Sequence, residues 1–197
     1  MAGFKYLWAN RAKFAFGSRN FFRAWAKRFF SFPELVARNH RRLLLIQKGA
    51  KIDETAEIGE VKIRGRCRLL TVGRESFLGQ VEMNIFEQLE IGNRVCINDG
   101  VIILTASHDI ADPQWKEVKK KIVISDYVWI GAGATILPGV VVGYGAVVGA
   151  RAVVSKSVEP NSVVVGNPAK AIVSRRASDL NYNPCEFLAA NRAWLSG

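Results

Sequence analysis

An isoleucine or valine stands at every sixth position through two runs of this chain, and few folds can use that spacing. Read from Ile85, the series runs Ile85, Ile91, Ile97 and Ile103, then resumes at Ile124, Ile130, Ile136, Val142, Val148 and Val154. Four residues after these anchors come small or branched side chains: Val95, Val101, Val128, Ala134, Val140, Ala146, Ala152 and Val158. Gly92, Gly131, Gly143 and Gly149 follow directly after an anchor. A period of six fits neither a helix of 3.6 residues per turn nor plain strand alternation. It fits short strands separated by regular corners, each strand pointing one branched side chain inward while small residues let the backbone turn. Stacked, such turns make a parallel β-solenoid with a column of Ile and Val as its core. A β-sandwich of branched strands does not explain ten anchors at fixed spacing. The ladder continues more weakly upstream at Ile52, Ile58, Val72 and Leu78, with one extra residue between Leu78 and Ile85 that predicts an irregular coil or bulge.

Charge divides the chain in two. Residues 1–51 hold twelve Lys and Arg against the single acid Glu34, and the remainder is balanced. Residues 1–32 also hold eleven of the chain's twenty aromatics. Phe21, Trp25, Phe29 and Phe32 fall near one helical face with Arg23, Lys27 and Arg28 elsewhere, and Pro33 is expected to end that helix. Three uses suit a basic, aromatic arm: a cap on the solenoid or a neighbouring subunit, docking on a membrane surface, or nucleic-acid binding. No nucleic-acid motif is present, so that use ranks last. The expected divisions are a helical arm over 1–50, a solenoid over 51–173 with a loop at 109–121, and a tail with a short helix over 174–197.

Cys67, Cys96 and Cys185 are scattered, and with two histidines, His40 and His108, they offer no metal site. The cysteine pattern, the interrupted N-terminus and the lack of a long apolar run point to a reducing cytoplasm, with peripheral contact at its membrane as an option.

The stretch VWIGAGATILPGVVVGYGAVVGARAVVSKSVEPNSVVVGNPAKAI (Val128–Ile172), preceded by TASHD (Thr105–Asp109), resembles the hexapeptide-repeat acetyltransferases. It is most similar to the branch holding galactoside and maltose acetyltransferases and the O-acetyltransferases of bacterial surface polysaccharides. The resemblance implies a left-handed parallel β-helix of triangular section, a homotrimer with active sites between subunits, and acetyl-CoA as co-substrate with no tightly bound cofactor. It implies that His108, which ends a hexad where the ladder breaks, is the general base, a task suited to imidazole. By the same resemblance the Ala132 backbone N–H faces the thioester, Trp129 lines the pantetheine channel or acceptor cleft, and Ala150, Ser155 and Lys156 lie along the CoA channel. Lys170, with Arg175 and Arg176, is expected to meet the nucleotide phosphates.

For the acceptor, Asn84 resembles a sugar-holding asparagine, while Asp99 and Trp115 are further candidates. Glu90, one nominal coil of 18 residues before His108, could stack beneath the imidazole. The function implied is O-acetylation of a saccharide: a surface polysaccharide, lipopolysaccharide or lipid-linked sugar. N-acetylation of an amino sugar and a non-enzymatic scaffold remain the alternatives.

Overall fold

The computed structural model describes residues 4–197. Three parallel sheets wrap a single apolar column in about six turns. The first sheet is built from Lys51–Ile52, Leu70–Val72, Leu89–Ile91, Ile122–Ile124 and Val141–Val142. The second stacks Glu57–Ile58, Phe77–Leu78, Cys96–Ile97, Trp129–Ile130, Val147–Val148 and Ser162–Val165, closed by the antiparallel strand Lys170–Arg175. The third holds Lys62–Gly65, Glu82–Ile85, Ile102–Leu104, Thr135–Ile136 and Val153–Val154. Strands of two or three residues cannot stand alone. Each is fixed by backbone bonds to the coils above and below and by one inward side chain.

The anchors of the sequence ladder are those side chains. Ile58, Leu78, Ile97, Ile130 and Val148 pair in register up the second sheet, and all are fully buried. The third sheet corrects the sequence reading. Its column is Ile63, Met83, Ile103, Ile136 and Val154, so Met83 occupies the level assigned to Ile85. Ile85 is buried too, two residues further along a longer strand. The expected irregularity is therefore a lengthened corner. Ile52 pairs with Val72 and Val72 with Ile91, spacings of 20 and 19 residues, whereas Ile124 and Val142 are 18 apart.

Pro33 does not end the helix. After α1 (Phe4–Ala9), α2 runs unbroken from Arg19 to Gln47 with Pro33 inside it. Proline removes one backbone donor, but the N-cap from Ser18 to the Phe21 N–H and the packing of both halves hold the helix together. One side of α2 buries Ala24, Arg28, Leu35 and Leu45. Leu45 joins the solenoid core, so α2 covers the open first coil as a terminal repeat requires.

The tail is longer in reach than a local helix. From the last coil it runs back down the corner between the first and second sheets. Arg176 donates to the Tyr127 carbonyl at 2.9 Å, Arg94 donates to Asn181 at 3.1 Å, and Asn191 donates to Glu57 at 2.7 Å. The ledge it rests on includes Arg94 and Tyr127, both at positive φ. A non-glycine side chain is rarely kept in that conformation unless it is needed, and these two hold the tail. The short helix α3 (Ala189–Leu195) then buries Trp194 against α1 and α2.

Glu57 sits at the centre of this junction, fully buried, with Arg38 3.6 Å away. That distance is an ion pair without a hydrogen bond. Burial raises the Glu57 pKa, with Asn191 and Arg38 opposing the shift. A carboxyl raised in the folded state contributes stability below its ordinary pKa of 4.5 that is lost as pH rises through the folded value. Melting temperatures of the native chain and Glu57→Gln, followed from about pH 4 to about pH 8, should show the native chain losing ground to the variant as pH rises. In the column, Ile130→Ala should cost about 2–5 kcal/mol in denaturant unfolding, since its site is fully buried.

Candidate active site

The ladder breaks after Ile103 because the chain leaves the solenoid as a hairpin. Strands Ala106–His108 and Glu117–Lys119 pair antiparallel, His108 opposite Glu117. The segment expected to be a plain loop at 109–121 thus contributes one strand and a tight tip. At the tip Asp109 and Asp112 accept from the backbone N–H groups of Ala111 and Gln114, two successive Asx turns.

These turns deliver Trp115 in the left-handed region, at φ 52°. The consequence falls on His108. The Trp115 ring stacks on the imidazole with centroids 3.7 Å apart and planes 9° from parallel. The Trp115 carbonyl lies 2.7 Å from His108 Nδ1. A carbonyl oxygen can only accept, so Nδ1 carries the proton and Nε2 keeps its lone pair. His108 is exposed. Trp115, a candidate sugar contact from the sequence, lies against the histidine, its ring stacked on the imidazole and its carbonyl at Nδ1. Nothing in the spacing of the two residues announced this; a non-glycine residue ending an Asp-x-x-Asp-Pro turn was the available signal.

Glu90 does not reach His108. Its carboxylate pairs with Lys121 Nζ at 2.8 Å. The offset of 18 fails here because the coil is longer at this corner: Thr105 bonds to Asn84 O, 21 residues back. Asn84 therefore lies beneath the root of the hairpin, and its Oδ1 is buried without a hydrogen-bond partner.

The corner between the second and third sheets holds the other set. Gln80, Asp99, Ala132 and Ala150 stack there, each two residues after a core anchor of the second sheet. Asp99 Oδ1 accepts from the Gln80 N–H at 2.8 Å, so its side chain caps the coil beneath. Oδ1 of Asp99 thus has a structural task. Asn93 and Asp126 cap in the same way on the neighbouring corner. Where an Asx would cap Asp99 and Ala132 from above, alanines stand instead. The N–H groups of Asp99, Ala132 and Ala150 consequently have no hydrogen-bond partner among the described residues. Gly131 is required alongside, since a Cβ there would lie 2.7 Å from the Ala150 nitrogen.

Trp129 projects from the second sheet, 45% exposed, and donates from Nε1 to Asn98 Oδ1 at 2.9 Å. Ser155 and Lys156 are exposed after Val154, on the corner from which the His108 hairpin departs two coils below. Lys170 is exposed at the start of the closing strand. Arg176 is occupied in the tail, and the Arg175 side chain lies outside the described residues. The structure thus groups Ala132 and Ala150 on one corner, and His108, Asn84, Ser155 and Lys156 along another. The third sheet separates the two corners, by roughly 16 Å at about 3.3 Å per residue.

Comparison with known proteins agrees with this architecture. The profile Bacterial transferase hexapeptide (six repeats) matches residues 121–156. The Escherichia coli K12 protein carrying the name colanic acid biosynthesis acetyltransferase WcaF is 34% identical over 148 residues, 74% of this chain and 81% of that protein. Chloramphenicol acetyltransferase of Escherichia coli is 57% identical over 53 residues, but the chain spans only 25% of it. Among solved structures, the hexapeptide-repeat acetyltransferase VCA0836 of Vibrio cholerae superposes with a TM-score of 0.64 at 25% identity, covering 88% of this chain and 99% of that one. VCA0836 has also been solved with acetyl coenzyme A. With its repeat, its corners and most of the length of one relative matched, the chain belongs to the hexapeptide-repeat acetyltransferase family.

Proposed function

We propose that the chain transfers the acetyl group of acetyl-CoA to a hydroxyl of a saccharide, with His108 as general base. The observation that carries this reading is the 2.7 Å contact between His108 Nδ1 and the Trp115 carbonyl, which leaves Nε2 free to take a proton. The acceptor hydroxyl gives its proton to Nε2 as its oxygen attacks the thioester carbonyl. The negative charge that develops on the carbonyl oxygen is met by the Ala132 N–H, a preorganised donor that no other group occupies. As the carbon–sulfur bond breaks, the imidazolium returns the proton to the departing thiolate. Asn84, half-buried at the root of the hairpin, is the residue we offer to another hydroxyl of the acceptor. Lys156 and Lys170 supply charge for the CoA phosphates.

Reacting groups must come within about 3–3.5 Å, and the third sheet holds His108 and Ala132 apart within one chain. The reading therefore places the site between subunits, one copy giving the His108 hairpin and the next its Ala132 corner, in a closed trimer. A saccharide acceptor is favoured because the likeness to the colanic acid protein spans 81% of its length, whereas the likeness to chloramphenicol acetyltransferase spans 25%.

His108→Ala should lower acetyl-CoA turnover by about 10²–10⁴-fold with the melting temperature and its rise on adding CoA unchanged; retained turnover would remove His108 from the role. Trp115→Ala should depress kcat, leaving KM for acetyl-CoA in place, and Trp115→Phe should restore most of the loss. Ala150→Asn should cap the Ala132 N–H as Asp99 caps Gln80, reducing kcat by about 10²–10³-fold in a protein that still assembles.

A further inference from the structure

The outward side of α1 and α2 is not used by the fold. The side of α2 that meets α3 and the solenoid carries Ala24, Arg28, Leu35 and Leu45. Turned away from it, Phe22, Phe29 and Phe30 are 62%, 76% and 80% exposed. Rings link into a continuous apolar surface: Phe16 to Phe21, Phe21 to Trp25, Trp25 to Trp8, Trp8 to Phe4 and Phe4 to Phe32, all with centroids within 6.3 Å. A patch of this kind on a soluble surface marks an interaction site.

Its border is basic. Lys13, Arg19, Arg23 and Lys27 are exposed around the rings, and Glu34 is the single acid in residues 1–51. Phe30 also lines a groove of about 750 Å³ between α2 and α3, into which Arg23, Lys27 and Arg192 face. Among the described residues no helix is long and apolar enough to cross a membrane.

We propose that this face of α1 and α2 docks on the surface of a bilayer rich in anionic phospholipid, rings at headgroup depth and the basic border against the phosphates. Aromatic faces flanked by Lys and Arg lie in that interface, and anionic headgroups attract juxtaposed basic residues. Charge decides between this occupant and a second copy of the chain. Two such faces would bring Lys13, Arg19, Arg23 and Lys27 of one copy against the same four bases of another, whereas an anionic bilayer supplies the missing countercharge. The proposal is independent of the acyl-transfer reading.

The test is co-sedimentation of the full chain with phosphatidylcholine vesicles containing about one-third phosphatidylglycerol, read beside its mass by analytical ultracentrifugation. The native chain should bind these vesicles at low salt and at least about 10-fold less well to pure phosphatidylcholine. Phe29→Ser/Phe30→Ser and Arg19→Glu/Arg23→Glu should each lose binding to a similar extent while keeping the native melting temperature and mass. Failure of the native chain to bind, undiminished binding by the ring variant, or a change in oligomeric mass in that variant would overturn the proposal, the last by showing that a second copy covers the rings.

Discussion

Register between successive coils is the constraint on which everything else in this molecule depends. A two-residue strand has too little of its own to be stable. What fixes it is the pair of neighbours to which its backbone bonds and the one side chain it contributes to the column. Ile97, Ile130 and Val148 are stacked in that way, and losing one would loosen the coils on both sides. Because the sides are committed to stacking, corners are where variation is tolerated. The two groups with chemical potential are both corner features: a hairpin inserted at one corner, and a column of alanines at another.

The same constraint explains what could be read from the sequence. A column of branched residues at fixed spacing is visible in one dimension, so the solenoid, its lower irregularity and the break at His108 were all legible. A fixed spacing does not carry through a corner of changed length. Met83 holds the level that the six-residue count gives to Ile85, and Glu90, which that count allows beneath His108, pairs with Lys121. Local propensity at Pro33 is overridden by the packing that carries α2 past it.

The contact of Trp115 with His108 was illegible for a different reason. It depends on a left-handed residue at the tip of a hairpin, and no periodicity encodes a single φ angle. The free Ala132 N–H, by contrast, was there to be found. Two residues after the second-sheet anchors the sequence reads Gln80, Asp99, Ala132 and Ala150, and the change from a capping side chain at Asp99 to alanine in the coils above is what leaves those donors unbonded. The tail was underestimated because its contacts with Arg94, Tyr127 and Glu57 are all long-range. They bind the last coil to the first and to α2.

The rigid sheet that makes the corners also separates them, and a catalytic pair divided between His108 and Ala132 demands two copies of the chain. Complementation tests that demand most directly. His108→Ala and Ala150→Asn chains, each inactive alone, are unfolded, mixed in equal amounts and refolded together, and acetyl-CoA turnover is measured. A shared site predicts recovery to about a quarter of native turnover, the fraction of clefts receiving both intact halves in a closed ring. Mixtures as inactive as the separate variants would show that His108 and the Ala132 corner do not act together across subunits.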